Sequence, residues 1–187
     1  MRRTGLIVLA VIGCFALGMG CWLVPRLFNT GVSPTAADIG FRLSLFGANA
    51  TISDLEAMPD HWDFVLDQIA SGKPDWLGLA PRLATATGSD PLEELHDYVG
   101  LALAHNAPLV LSISTKDRSG VLGTRFLCET GYMNNLEHGA PPGFKAQAVA
   151  AVEAISEPKL AAARDICLAE LNRPAEKACS NGSCPAL

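Results

Sequence analysis

The chain has 187 residues, of which 49% are hydrophobic and 18% charged, and its formal net charge is −5. An acidic balance of this kind excludes a nucleic-acid binder built on clustered lysine and arginine. About 160 residues remain beyond the first 25, enough for one domain with its own buried core.

The chain opens on Arg2 and Arg3, followed by an uncharged, mostly apolar run of twenty residues from Gly5 to Val24, with the next charge at Arg26. At about 1.5 Å per residue, this run is long enough to cross a hydrocarbon core of about 30 Å as an uncleaved anchor. A basic start and the small residues Gly18 and Gly20 ahead of Cys21 equally fit a cleaved signal peptide. Leu17-Gly18-Met19-Gly20-Cys21 also fits lipidation at Cys21, although Gly18 departs from the lipoprotein pattern. Val11-Ile12-Gly13-Cys14 leaves too short an apolar core before it. Each option keeps the two arginines cytoplasmic and the domain outside. The expected location is the cell envelope, facing the periplasm, with Gly5 to Val24 holding the chain at the inner membrane if uncleaved. The expected organisation is a leader over 1–25, a linker over 26–40, a helical domain over 41–173 and a disulfide-closed tail over 174–187.

Phe41-Arg42-Leu43-Ser44-Leu45-Phe46 alternates like a short strand, and a helical turn fits almost as well before Gly47-Ala48-Asn49 interrupts it. The helical signal then strengthens. Trp62, Val65, Leu66 and Ile69 fall at i, i+3, i+4 and i+7, and Ser71-Gly72 supplies a stop. Pro74 opens a second helix carrying Trp76, Leu79, Ala80 and Leu83, which Pro81 kinks or cuts short. Ser89 caps a third, with Asp90, Glu93 and Glu94 in its first turn and Leu92, Leu95, Val99 and Ala102 on its buried stripe.

His105-Asn106 end that helix. Leu109-Val110-Leu111-Ser112-Ile113 reads as a strand in isolation and, after Pro108 and within a helical array, as a short buried helix. A loop over 115–123 precedes a short helix over 126–133 that carries Cys128. Phe144, Ala148, Val152 and Ile155 mark another helix. Ser156-Glu157-Pro158 starts the last one, whose apolar face is Leu160, Ala163, Cys167, Leu168 and Leu171. The expected fold is mainly α, an irregular array of short antiparallel helix pairs after an N-terminal apolar helix. It resembles HEAT-like arrays without a regular repeat period.

Six cysteines divide between leader and domain, with Cys14 and Cys21 in the first and Cys128, Cys167, Cys179 and Cys184 in the second. An exported domain favours disulfides over a zinc site. Asn181-Gly182 turns the chain between Cys179 and Cys184, which leaves Cys128 for Cys167.

Trp62-x-x-Val65-Leu66-x-x-Ile69-x-Ser71-Gly72, then Trp76-Leu77-x-Leu79-Ala80-x-x-Leu83, then Leu101-Ala102-Leu103-Ala104-x-Asn106 with Val110-Leu111, is similar to small exported helical proteins of Gram-negative bacteria. The resemblance spans about residues 60–172 and rests on core and turn positions. It implies an exported, disulfide-containing helical fold and carries over no catalytic residue. Small envelope proteins of this size include toxin inhibitors and immunity proteins, an analogy of size, compartment and fold.

Charge is unevenly spread. Residues 43–97 hold ten acids and two bases, a net of −8, whereas 98–187 hold eight of each. Asp60, Asp63 and Asp67 recur at i, i+3 and i+7, and Asp90, Glu93, Glu94 and Asp97 share a face of the third helix. These are either the solvated backs of amphipathic helices or one negative surface for a basic protein partner.

His96 and His105, nine residues apart on one expected helix, would face opposite ways and cannot share a metal. His61 sits beside Trp62, and His138 beside Glu137 in a loop. No nucleophile elbow, zinc-binding His-Glu-x-x-His, phosphate loop or dinucleotide turn occurs. The sequence therefore assigns no catalytic, cofactor or metal residue and no cofactor. It favours a non-enzymatic envelope binding protein with an acidic face, inhibitor- or immunity-like. The alternatives are an envelope hydrolase with a His/carboxylate site and a membrane-tethered scaffold subunit.

Overall fold

The computed structural model describes residues 33–116, 120–129 and 140–173. The chain divides into two compact units, 1–33 and 34–187, and nearly all described residues belong to the second. The leader with Gly5 to Val24, Cys14 and Cys21, the loop with Glu137 and His138, and the tail with Cys179 and Cys184 lie outside the described residues. The described part is mainly α, with no strand beyond one isolated bridge between Thr115 and Gly123. None of its helices is long and apolar enough to cross a membrane.

Thr35 opens the first helix, α1 (Ala36–Glu56), with a reciprocal cap. The Thr35 hydroxyl accepts from the Asp38 amide at 3.2 Å, and Asp38 Oδ2 accepts from the Thr35 amide at 3.1 Å. The Thr35 hydroxyl and amide hold the Asp38 carboxyl below its usual range. Helix α1 thus takes in residues 36–40, expected as linker, and the Phe41–Phe46 run that alternated like a strand.

That alternation has a physical cause. Ile39 and Leu43 point into the core while Phe41, Leu45 and Phe46 stay about half exposed on the outer side, at 55%, 56% and 47%. Gly47, at φ 78° and ψ 178°, then breaks the helix, and Ala48, Ile52 and Leu55 resume burial in a new phase. Buried Arg42 reaches across the break to Asp54 at 3.4 Å.

Helix α2 (His61–Ala70) buries Trp62, Val65, Leu66 and Ile69, the stripe read from the sequence. Pro74 and Pro81 then each start a separate four-residue helix, α3 (Pro74–Leu77) and α4 (Ala80–Leu83). Proline fits a first turn, where its missing N–H has no partner to lose. Phe64 meets Trp76 edge-on, with ring centroids 5.8 Å apart, and locks α3 against α2.

Helix α5 (Asp90–Leu101) buries Leu95, His96 and Val99. Ser89 precedes it but does not cap it through its side chain, because its hydroxyl donates to Asp90 Oδ1 at 2.6 Å. Helix α6 (Leu103–Ile113) contains the Leu109–Ile113 run, so that run is helical.

Pro108 inside α6 cannot donate a backbone hydrogen bond and crowds the preceding turn. The helix answers with a break at Asn106, at φ −153° and ψ 59°. The Asn106 side-chain Oδ1 then accepts from the Leu109 amide at 3.3 Å and restarts the helix. Its amide nitrogen donates to the Gly72 carbonyl at 2.9 Å, fastening the end of α2 to this break.

Helix α7 (Thr124–Leu127) begins earlier and ends sooner than the expected 126–133, with Cys128 as its C-cap. Its entry is set by backbone bonds from Thr115 N to Leu122 O at 2.8 Å and from Thr124 N to Thr115 O at 3.0 Å. Helix α8 (Phe144–Glu153) packs broadly on α6. A 3-10 turn (Pro158–Leu160) leads into α9 (Ala161–Leu171), which packs on α8 and α7. Cys128 and Cys167, both fully buried, form a disulfide with Cα atoms 5.1 Å apart and a sequence separation of 39.

Replacing both cysteines (Cys128→Ala/Cys167→Ala) is expected to lower the unfolding free energy in urea by about 3–4 kcal/mol on the chain-entropy argument. Reduction of the native protein should reproduce most of that loss. Gly72 and Gly40 give opposite expectations. Gly72 has φ +73°, and a Cβ there would lie 2.7 Å from the His105 Cβ, whereas a Cβ on Gly40 meets only Leu79 Cδ2 at 3.6 Å and Arg82 Nη1 at 3.8 Å. Gly72→Ala should therefore destabilise by more than about 1 kcal/mol, and Gly40→Ala, inside a helix, should stabilise by about 0.5–1 kcal/mol. Both are read from urea midpoints.

Candidate functional site

Helices α2 and α5 pack side by side, and one polar contact crosses their seam. Trp62, on the buried stripe of α2, directs its indole N–H to Glu94 Oε2 on α5 at 2.6 Å. An indole buried to this depth needs a partner for its N–H. The carboxylate supplies it from the solvent side, since Glu94 remains exposed overall. The contact brings the two acid-bearing helices together.

Seven acids were singled out in the sequence; Asp90 is exposed at the start of α5 and accepts from the Ser89 hydroxyl, and the other six divide by role. Asp63 and Asp67 on α2, and Glu93 on α5, are exposed, and no basic side chain pairs with them among the described residues. Asp60 is exposed too, but it sits ahead of α2 as its N-cap residue, in the left-handed conformation at φ 63°. Glu94 is engaged by Trp62. Asp97 turns inward: its side chain is 17% exposed, and its Oδ1 lies 3.1 Å from His96 Nδ1. The solvent-facing group is therefore Asp60, Asp63, Asp67 and Glu93, with Glu94 at the seam. Glu93, in the first turn of α5, also complements that helix's dipole.

The histidines do not gather. His96 and His105 lie on different helices, α5 and α6, rather than on one. His96 is buried, and its ring stacks on Phe126 of α7 at 3.7 Å with planes 26° apart. This packs α5 against α7.

His61 is half-buried at the start of α2, with no hydrogen-bond partner for Nδ1. His105 is exposed and shares a hollow of about 280 Å³ with Asp67 and Ser71. Those three residue types can make a nucleophilic relay, but a relay needs them linked. Here the Ser71 hydroxyl instead donates to the Gln68 carbonyl at 2.6 Å. No group of three or more His, Cys, Asp or Glu side chains among the described residues could hold a metal ion. The disulfide already commits Cys128 and Cys167.

Sequence reasoning passed over two buried charges, Arg42 on α1 and Glu170. Glu170 on α9 is 3% exposed. Its Oε1 accepts from Arg125 Nε at 2.7 Å and its Oε2 pairs with Arg173, which also reaches Glu129 at 3.6 Å. Paired arginines are what a buried carboxylate requires. The one signal available was its position three residues after Cys167 and next to Leu171, on the edge of the apolar stripe.

No protein-family model matches this chain, and no curated protein or solved structure matches it significantly. Fold and surface together define a mainly α domain, stapled by one disulfide in its described part, with carboxylates exposed on two adjoining helices.

Trp62→Phe keeps the ring and removes the N–H. It should cost about 1 kcal/mol of stability, and a double-mutant cycle with Glu94→Ala in urea should return a coupling of similar size. Strictly additive losses would mean that the contact adds nothing to stability.

Proposed function

We propose that this chain is a non-enzymatic binding protein of the cell envelope, of inhibitor or immunity-like character, whose acidic face meets a basic protein partner. The observation that carries this reading is the Trp62–Glu94 contact, which unites the acid-bearing helices α2 and α5 while Asp63, Asp67 and Glu93 stay exposed and without basic partners among the described residues. Uncompensated carboxylates on one surface attract cationic proteins and speed their association. The buried Cys128–Cys167 bridge supports an oxidising compartment, in keeping with an exported chain. The HEAT-like array of short antiparallel helix pairs expected from the sequence would give such a surface a rigid backing. The leader from Gly5 to Val24 would keep this face near the inner membrane if it is retained.

The test is capture from envelope extracts with the full-length chain, alongside Asp63→Asn/Asp67→Asn/Glu93→Gln. A basic protein should be retained at low salt. Its retention should fall about tenfold at high salt and in the neutralised variant. Capture that ignores both salt and the substitutions would overturn the acidic-face reading in favour of a scaffold subunit, and absence of capture would overturn it outright.

A further inference from the structure

A groove of about 680 Å³ opens where the C-terminal end of α6, the start of α7, the 3-10 turn and α9 meet, away from the α2–α5 seam. Its charge is opposite to that of the chain as a whole. Lys116, Arg125 and Lys159 line it with no carboxylate among the described lining residues, in a protein of net charge −5. Lys116 and Lys159 are exposed, and neither has an acidic partner within ion-pair distance among the described residues.

Arg125 differs from the lysines. Its Nε is fixed by Glu170 at 2.7 Å while its side chain stays 43% exposed, so the guanidinium is held at the groove's edge. Between the cations the lining is aliphatic. Leu111 and Leu160 contribute nearly buried side chains, and Ile166 contributes one of the few large hydrophobic side chains left exposed, at 42%.

The hydroxyls in the groove serve the fold. Ser112 donates to the Leu109 carbonyl at 2.8 Å, and Ser114 Oγ lies 2.9 Å from the Leu111 carbonyl and 2.8 Å from Thr124 Oγ1. They bind the end of α6 to the start of α7 and leave the cations as the groove's recognition groups. Rigidity comes from the same region, because the Cys128–Cys167 bridge joins α7 to α9, the elements that carry Arg125 and Ile166. A fixed opening in the range of about 300–1,000 Å³, apolar inside with a few convergent polar groups, is the usual form of a small-molecule site.

We propose that this groove binds a small anionic amphiphile, an aliphatic chain whose carboxylate or phosphate head pairs with Lys116, Lys159 and Arg125 while the chain lies along Leu111, Leu160 and Ile166. Lysines without an acidic partner among the described residues, with the exposed part of Arg125, beside exposed aliphatic surface gain from such a ligand in two ways. The head answers the charge, and the chain takes Ile166 out of water. Neither a simple inorganic anion nor a neutral apolar molecule would satisfy both halves of the lining.

The test uses the full-length chain in nonionic detergent with a diazirine-bearing decanoate, irradiated, and with the adducts located by peptide mass spectrometry. Adducts are expected on peptides covering 111–116, 124–125 and 159–166. Decanoate or decyl phosphate should compete with labelling there, and which of the two competes better identifies the head. Decanol at the same concentration should not compete. Labelling of these peptides should fall about tenfold in Lys116→Glu/Lys159→Glu, both exposed positions where a folded product is expected, and comparably in Ile166→Asp. Far-UV circular dichroism confirms that each variant is folded. Labelling confined to the apolar segment from Gly5 to Val24, competition by decanol equal to that by decanoate, or unchanged labelling in the lysine variant would each overturn the proposal. Asp63→Asn/Asp67→Asn/Glu93→Gln should label normally, which separates this site from the acidic face.

Discussion

The bond between Cys128 and Cys167 joins a four-residue helix, α7, to α9 across a sequence separation of 39. A helix that short is far below the length at which backbone hydrogen bonding sustains itself in water. Its geometry must be imposed from outside. The bridge does so covalently, the Glu170–Arg125 pair does so electrostatically, and the backbone bonds between Thr115 and residues 122 and 124 do so at the entry. Fully buried Leu103, Leu127, Cys128, Cys167 and Leu171 belong to the same apolar core, so the bridge also closes that core at the C-terminal end of the domain. The N-terminal side needs no such staple. There α2 and α5 each bury one stripe, α1 buries one on either side of its break at Gly47, and α3 and α4 are held between them by Trp76, Leu77, Ala80 and Leu83.

Electrostatics follow the same division. Where apolar packing suffices, on α2 and α5, exposed carboxylates face solvent, and among the described residues Asp90, Glu94 and Asp97 take part in hydrogen bonds. Where packing is thinner, around α7 and α9, charges are spent inside: Glu170 is buried between Arg125 and Arg173. Breaking such a buried set would leave a carboxylate without its partners, far costlier than losing a surface pair. The near balance of acids and bases after residue 98 is therefore not featureless. Among the described residues, Arg125 and Arg173 pair the buried acid, Arg164 pairs with Asp165, and Lys116 and Lys159 stand without an acidic partner at the groove.

How much of this could be read from sequence differs by element, for physical reasons. The stripe of α2 was legible because Trp62, Val65, Leu66 and Ile69 are all buried and fall at i, i+3, i+4 and i+7. Helix α1 was obscured because Phe41 and Leu45 face outward while Leu43 faces inward, producing a false period of two, and because Gly47 resets the phase. The pairing of Cys128 with Cys167 was legible from spacing and the turn residues near Cys179, whereas the helix around Cys128 was placed too late. The acid runs were visible as charge. That Asp97 turns toward His96, and that Glu94 receives the Trp62 N–H, depends on which helix neighbours which, and no local pattern reports that. The groove was hidden for the same reason, since Lys116, after α6, and Lys159, on the 3-10 turn, are brought together by tertiary packing of that turn and α9 against α6 and α7.

Helix α5 is where these separate features meet. One side carries Glu93 and Glu94 toward solvent and the α2 seam, while the other buries His96 against Phe126 of α7. Phe126 lies two residues before Cys128 and immediately after Arg125, so a single turn of chain holds the ring stack, the disulfide and the groove's fixed cation. A short helix tied at three points has little freedom to tilt. The acidic face and the basic groove are therefore mounted on one rigid frame, with α5 and α7 as its joint. Each surface can be altered by exposed side chains, at Asp63, Asp67 and Glu93 or at Lys116 and Lys159, without disturbing the contacts that hold the frame.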